Sequence, residues 1–137
     1  MSNDQRGAPE DAPNRQPTIL IVDDFSDIRV MLRTMLLNKG FSVVEAANGE
    51  EAVAEALRSL PDLILMDLSM PKMGGVEAIM RIRKVPGLAD IPVFVISAHA
   101  TEDLEIDAIM AGATEVITKP INTDIVLEKI QIALEMS

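Results

Sequence analysis

Four apolar runs along the chain are each followed by a polar residue of a type that binds ligands or takes part in catalysis. Acidic residues follow the runs 19–22 and 63–66, a serine follows 93–96, and a lysine follows 116–118. Runs of this length and composition are typical of buried strands in a parallel sheet. Because ligands bind beyond the carboxyl ends of such strands, we expect these acids, the hydroxyl and the lysine to meet in one crevice.

Segments with helical periodicity separate the runs, so the pattern predicts β-α repeated five times. Helical crossovers force neighbouring strands to be parallel, and their right-handedness limits the topology. We therefore predict an α/β fold, a doubly wound five-stranded parallel sheet in the order 2-1-3-4-5, with five helices. The predicted strands are 18–22, 42–45, 63–66, 92–96 and 114–118, and the predicted helices are 26–38, 48–60, 74–84, 101–110 and 122–136.

Local signals support several of these boundaries. Gly40 stands where the first helix should end, and the more polar second strand suits a sheet edge. Asn48 followed by Glu51 predicts a capping box at the start of the second helix. Thr101 and Asn122 are the predicted N-caps of the fourth and fifth helices.

Length and composition indicate one folded domain with a polar extension. Of the 137 residues, 48% are hydrophobic, which is enough for a core. Residues 1–17 are rich in polar residues and proline and can bury almost nothing, so we predict a disordered tail there. The domain is then expected to comprise residues 18–137.

The charge and the scarcity of aromatic residues exclude several classes of partner. The formal net charge is -10, which disfavours direct contact with nucleic acid or an anionic membrane. There is no cysteine for thiol or zinc-thiolate chemistry, and the three phenylalanines provide little for base stacking. No run is long enough to cross a membrane and no signal peptide is visible, so we expect a cytoplasmic protein.

The acids after strands one and three predict a magnesium site. Three carboxylates at adjacent strand ends repel one another unless a cation neutralises them, and hard oxygen ligands suit Mg²⁺. Asp24 is expected as a direct ligand and Asp23 as a ligand through water. Asp67 is expected to be both ligand and reactive group, and the backbone carbonyl of Ser69 would complete the set. The alternative, acids that only cap helices, is disfavoured by their joint placement.

The serine and the lysine give this metal site the parts needed for phosphoryl chemistry. A carboxylate oxygen of Asp67 can attack phosphorus and form an acyl phosphate. Lys119 would offer a point charge to one phosphoryl oxygen and Ser97 a hydroxyl donor to another. Pro120 follows the lysine directly, so a cis Lys119–Pro120 bond is a possibility that the sequence leaves open.

These residues resemble the receiver domain of two-component response regulators. The resemblance rests on four motifs in order and covers about residues 18–136: Val22-Asp23-Asp24, Met66 to Gly75, Ile96-Ser97-Ala98 and Thr118-Lys119-Pro120. It implies a flavodoxin-like fold similar to the chemotaxis receiver. It also implies Mg²⁺-dependent phosphorylation of Asp67 by a phosphohistidine on a sensor histidine kinase or a histidine phosphotransfer protein.

The resemblance also assigns tuning positions and shows one departure. Members usually carry Tyr or Phe three residues before the lysine, where this chain has Val116, so an aromatic rotamer switch is impossible there. We therefore hypothesise that Ser97 and loop motion alone carry the signal, with weaker coupling. Ser69 and His99 occupy positions that, in the family, flank the attacking water and tune the phosphate lifetime.

The sequence predicts partner surfaces on the last helix and around the first helix. The apolar residues of helix 122–136 cover roughly 220° of its circumference, more than the ~100° that a core-facing helix needs. Part of this helix is expected to contact an effector or a second copy, giving a monomer or weak homodimer. An acidic rim suggests a basic partner: Glu102, Asp103, Glu105, Asp107 and Glu115. The resemblance places kinase docking around the first helix, near Arg29 and Arg33.

The most concrete functional interpretation is a single-domain response regulator that signals through phosphorylation-dependent protein contacts. Two related alternatives stay open: a phosphorelay shuttle or phosphate sink without its own effector, and a receiver fragment of a larger regulator. An aspartyl-nucleophile phosphatase of the haloacid dehalogenase type is disfavoured. Those enzymes carry an acid two residues after the nucleophile, where this chain has Ser69.

Overall fold

The computed structural model describes residues 16–68, 74–98 and 102–135, and its elements follow the predicted alternation. A short 3₁₀ helix, Pro86–Leu88, was not predicted and lies between the third helix and the fourth strand. The elements in chain order are β1 (Thr18–Val22), α1 (Ser26–Asn38), β2 (Ser42–Ala46), α2 (Gly49–Ser59), β3 (Leu63–Asp67), α3 (Gly75–Arg83), β4 (Val93–Ser97), α4 (Glu102–Ala111), β5 (Glu115–Thr118) and α5 (Thr123–Glu135).

The five strands form one parallel sheet in the order β2-β1-β3-β4-β5, which confirms the predicted fold class and topology. β2 lies at the edge, as its polar composition predicted. β1 and β3 are neighbours, with Val22 paired to Met66. The acids that follow these two strands are therefore brought to the same edge of the sheet.

Three of the strands, β2, β3 and β4, end one residue later than predicted, and the extensions of β3 and β4 concern the candidate site. Asp67 is the last residue of β3 and pairs with Ile96, while Ser97 is the last residue of β4 and pairs with Thr118. Both side chains therefore leave from the hydrogen-bonded ladder and not from a loop. A ladder position restricts the backbone, which fixes the direction of the side chain.

The apolar residues of the strands divide between two hydrophobic layers. Leu20 and Val22 face a layer covered by α2, α3 and α4, while Ile19 and Ile21 face a layer covered by α1 and α5. Alternation along β1 thus places successive side chains on opposite faces. Burial on both faces explains why the central strands are apolar without interruption.

The predicted helix boundaries agree with the observed capping contacts. Asn48 Oδ1 accepts a hydrogen bond from Glu51 N at 2.9 Å, as in a capping box. The Glu51 carboxylate accepts from Ala47 N, one residue before the amide that the standard motif uses. Gly40 follows α1 with a φ of +90°, and Asn122 caps α5 through two amides of its first turn. Thr101, the other predicted cap, lies outside the described residues.

Arg83 at the end of α3 joins two loops through backbone carbonyls. Its guanidinium donates to Gly112 O at 2.7 Å and to Ile91 O at 2.6 Å, with longer bonds to Leu88 O and Ala89 O. Burial lowers the pKa of Arg83, because the charged form loses hydration. The arginine therefore holds the end of α4 and the loop before β4 against α3.

The last helix is only partly buried. Val126 and Ile130 lie in the core, whereas the side chains of Ile125 and Ile132 are about half exposed, at 48% and 51%. The wide apolar arc predicted for this helix thus divides into a buried part and an exposed part. Within the described ranges, no helix has the length and apolar character needed to span a membrane.

Candidate functional site

The carboxyl ends of β1 and β3 bring three carboxylates together. Asp23 and Asp24 follow β1 directly and Asp67 ends β3, and one oxygen of each lies within 4.8 Å of the others. Asp23 and Asp67 are buried, whereas Asp24 is exposed. The sequence predicted this cluster, in which two of the acids are buried and one is exposed to solvent.

Lys119 supplies the positive charge nearest to these acids. Its Nζ lies 3.7 Å from Asp67 Oδ2 and 4.0 Å from Asp23 Oδ2, and its side chain is one-quarter exposed. The backbone N–H of Lys119 donates to Ser97 O at 2.9 Å, which ties the end of β5 to the end of β4. The Lys119–Pro120 peptide bond is cis. The lysine is therefore placed by its own backbone contacts as well as by charge.

Ser97 lies on the strand next to Asp67 and is almost completely buried, with 1% of its surface exposed. Its neighbour in β4, Ile96, pairs with Asp67 across the ladder. The hydroxyl is therefore presented from the adjacent strand at the same edge of the sheet. A hydroxyl in this place can donate a hydrogen bond to a group attached to Asp67.

Burial raises the pKa of Asp23 above its ordinary value, because a carboxylate removed from water is less stable in its charged form. The amide of Phe25, which donates to Asp23 Oδ1 at 2.8 Å, acts in the opposite direction. The nearby charges of Asp67 and Asp24 raise the pKa further, and Lys119 lowers it. Three carboxylates face the single positive charge of Lys119, so the cluster keeps an excess of negative charge, which suits a site for a divalent cation.

Arg29 belongs to this site, although the sequence indicated only an exposed arginine beside a docking surface. Its guanidinium donates to the backbone carbonyl of Asp23, and its Nε lies 3.3 Å from Glu45 Oε1. The arginine is separated from Asp23 by six residues, and Glu45 comes from β2. Only the pairing of β1 with β2, which sets Ile21 opposite Glu45, could have suggested the contact.

The remaining predicted positions divide between the described and the undescribed parts of the chain. Val116 lies in β5, is partly buried and packs against the layer of α2, α3 and α4. Ser69, the predicted carbonyl ligand, lies outside the described residues, as does His99. The five residues that the structure brings to one edge are therefore Asp23, Asp24, Asp67, Ser97 and Lys119.

Comparison with known protein families agrees with this arrangement. The family model of the response regulator receiver domain matches residues 19–131, which is most of the chain. The chain belongs to this family. Receiver domains of this type are not classical enzymes.

Individual relatives support the same assignment. The chain is 43% identical over 113 residues to the chemotaxis protein CheY of Bacillus subtilis, an alignment that covers 82% of this chain and 92% of the relative. The structure of chemotaxis protein CheY4 from Vibrio cholerae is similar with a TM-score of 0.84 and 30% identity, covering 88% of this chain and all of that one.

A second similar structure is the receiver domain of the sensor histidine kinase PA1611 from Pseudomonas aeruginosa. It has a TM-score of 0.82 and 26% identity, and the match covers 88% of this chain and 99% of that chain. The PA1611 domain is described with a magnesium ion coordinated in its active-site cleft.

Proposed function

We propose that this receiver domain accepts a phosphoryl group on Asp67 in the presence of Mg²⁺ and so switches its contacts with other proteins. The observation that carries the proposal is the cluster itself, in which three carboxylate oxygens lie within 4.8 Å and Lys119 Nζ lies 3.7 Å from Asp67. The phosphoryl donor is a phosphohistidine on a sensor histidine kinase or a histidine phosphotransfer protein. The magnesium-bearing PA1611 receiver supports the choice of metal.

The donor set fits Mg²⁺ because it consists of hard oxygen ligands with uncompensated negative charge. Asp24 and Asp67 would be direct ligands, Asp23 would bind through water, and the backbone carbonyl of Ser69 is the further proposed ligand. When bound, the cation neutralises charge that develops on the phosphoryl oxygens. The exposed position of Asp24 leaves this ligand accessible from solvent.

Phosphoryl transfer follows from the placement of Asp67, Lys119 and Ser97. A carboxylate oxygen of Asp67 attacks phosphorus, the P–N bond to the donor imidazole breaks, and the electron pair returns to the imidazole nitrogen. Lys119 attracts one phosphoryl oxygen and the Ser97 hydroxyl donates to another. Attack of water on phosphorus later restores the carboxylate and releases inorganic phosphate.

Mass spectrometry after incubation with a small-molecule phosphodonor tests this proposal directly. We expect the intact protein to gain one phosphoryl group when Mg²⁺ is present and to gain none when the metal is chelated. The modification should be labile to alkali, as an acyl phosphate is. A phosphoryl group gained equally with and without metal would contradict the proposed site.

We predict that Mg²⁺ stabilises the fold and that Asp23→Asn stabilises it in the absence of metal. Two carboxylate charges 4.8 Å apart, the limit of the distances within this cluster, repel by about 1–3 kcal/mol when the dielectric constant lies between 20 and that of water. Removing one charge should therefore raise the melting temperature in chelator by several degrees, about 2–8 °C per kcal/mol. Thermal denaturation with chelator and with saturating magnesium chloride measures both effects.

Glu128→Gln is the matched control for this experiment, since it removes one negative charge from an exposed position on α5. It should change neither the melting temperature in chelator nor the increase caused by Mg²⁺. The Asn side chain of Asp23→Asn can still accept a hydrogen bond from the Phe25 N–H, so this contact is retained. A lower melting temperature for Asp23→Asn in chelator would mean that the carboxylates do not repel as proposed.

The proposed output surface comprises α4, β5 and α5. A phosphoryl group adds roughly -1.5 to -2 charges and three acceptor oxygens beside Ser97. We infer that movement of the chain after Ser97 changes this surface, which carries the exposed side chains of Ile125 and Ile132. The effector would bind here, and the four acids of α4 favour a basic partner: Glu102, Asp103, Glu105 and Asp107.

Affinity capture can identify this effector. The bait is the protein loaded with Mg²⁺ and beryllofluoride, which stands in for the phosphoryl group on Asp67, and the control bait is Asp67→Ala. We expect a partner that binds the loaded bait alone and whose binding is weakened by Ile125→Ser. A partner retained equally by both baits would contradict phosphorylation-dependent docking.

The shuttle or phosphate-sink alternative is favoured by one observation, the valine at position 116. With no aromatic ring to reorient at this position of β5, the coupling between Asp67 and the output surface should be weaker. A loaded bait that captures only kinases or phosphotransfer proteins would favour this alternative.

The division of the chain into a tail, residues 1–17, and a receiver domain, residues 18–137, also remains our proposal. The family match over residues 19–131 supports the second part of it. Limited proteolysis should cut before residue 18 first. Early cleavage inside residues 18–137 would contradict the proposed boundary.

A further inference from the structure

The backbone of Asp23 is held from both sides at the point where the chain leaves β1. Its N–H donates to Ala46 O at 3.1 Å, and its carbonyl accepts from the guanidinium of Arg29. Its side chain accepts from Phe25 N, so the polar atoms of this residue are engaged by the protein. Asp24 is the next residue and is exposed. The direction of its side chain therefore depends on how the backbone of Asp23 is held.

Arg29 is in turn held by Glu45 at the end of β2. Its Nε lies 3.3 Å from Glu45 Oε1, and the other Glu45 oxygen lies 2.9 Å from Nη1 of Arg33, one turn further along α1. The side chain of Arg29 is one-fifth exposed, against 41% for Arg33. The planar guanidinium thus bridges the acid Glu45 on β2 and the main-chain carbonyl of Asp23, directly after the end of β1.

We propose that Arg29 is a positioning residue for the cation site, because it fixes the backbone at Asp23 and thereby directs Asp24 toward the bound metal. The inference rests on the proposed Mg²⁺ site. Three carboxylates in one place repel, so an untethered chain would turn the exposed one away before the metal binds. A tether that prevents this turn reduces the reorganisation needed for binding.

A second effect of Arg29 acts in the opposite direction. Its positive charge lies beside the site and repels a cation, so its removal alone would tighten Mg²⁺ binding. The Glu45 carboxylate compensates that charge at short range, which reduces the repulsion. We therefore expect the positioning effect to be larger. Arg29→Lys separates the two effects, because lysine keeps the charge and loses the planar fork.

The experiment is a titration with magnesium chloride followed by backbone amide chemical shifts, since the chain has no tryptophan or tyrosine for fluorescence. Arg29→Lys should weaken Mg²⁺ binding by about five- to tenfold, as expected for losing one hydrogen bond of ordinary strength. Arg29→Met should also weaken it, but by less, because this variant removes the repelling positive charge as well. Arg33→Met is the control, because it removes a Glu45 contact from the same helix. Its dissociation constant should equal that of the wild type.

Each other outcome overturns the inference in a distinct way. Unchanged affinity with a lower melting temperature would make Arg29 merely structural, and tighter binding by Arg29→Met with unchanged binding by Arg29→Lys would make its role electrostatic. If Arg29→Met does not fold, Arg29→Lys carries the test, because it keeps the positive charge, and it should bind Mg²⁺ more weakly. Absence of Mg²⁺ binding by the wild type would instead refute the proposed function.

Discussion

Asp67→Asn should abolish phosphoryl uptake while leaving the fold intact. The amide is close in size to the carboxylate, so β3 and its pairing with Ile96 should be kept. An amide oxygen is a poor nucleophile and carries no charge for a cation or for Lys119, which lies 3.7 Å from the carboxylate. We expect no phosphoryl group by intact-mass spectrometry under conditions that fully modify the wild type.

The control for this prediction is Asp107→Asn, which removes an exposed acid from α4. It should be phosphorylated at the wild-type rate. Thermal denaturation in chelator should show that Asp67→Asn is folded and no less stable than the wild type, since a repelling charge has been removed. Wild-type uptake by Asp67→Asn would contradict the assignment, and peptide mapping would then show whether Asp23 or Asp24 is the acceptor.

The strand order and the grouping of the acids were predictable because each follows from local pattern and general topology. Asp23 and Asp67 follow apolar runs, and parallel strands end at one edge of the sheet. Right-handed crossovers leave few topologies, and the doubly wound order among them places β1 beside β3. Ser97 and Lys119 were predicted for the same reason. None of these inferences required knowledge of how any two side chains pack.

The arginine contacts could not be predicted because they depend on distances between elements that are far apart in sequence. Arg83 reaches Gly112, 29 residues away, and the apolar pattern of α3 says nothing about a carbonyl at the end of α4. Arg29 reaches Asp23 and Glu45 only after α1 has packed against the first two strands. Side chains with many rotamers find such partners in the folded state, so sequence pattern leaves them undetermined.

The end of β3, which carries Asp67, is also packed closely against Gly75, the first residue of α3. A Cβ on Gly75 would lie 2.8 Å from the Asp67 carbonyl oxygen and 2.9 Å from Leu68 Cα, both of them backbone atoms. Gly75→Ala therefore cannot be accommodated by rotation of a neighbouring side chain. We expect it to destabilise the fold by about 1–3 kcal/mol, the usual range for overpacking, and to slow phosphorylation by displacing Asp67.

Gly74→Ala is the matched control, since the same methyl group one residue earlier would meet only Leu68 O at 3.9 Å, an ordinary contact. Gly74 is the N-cap residue of α3, where alanine is less favourable than glycine, so we expect a cost below about 1 kcal/mol. Urea denaturation of both variants measures the difference, and phosphoryl uptake reports on Asp67. Equal stability of the two variants would mean that α3 moves freely against β3. The acceptor residue would then not depend on close packing at Gly75.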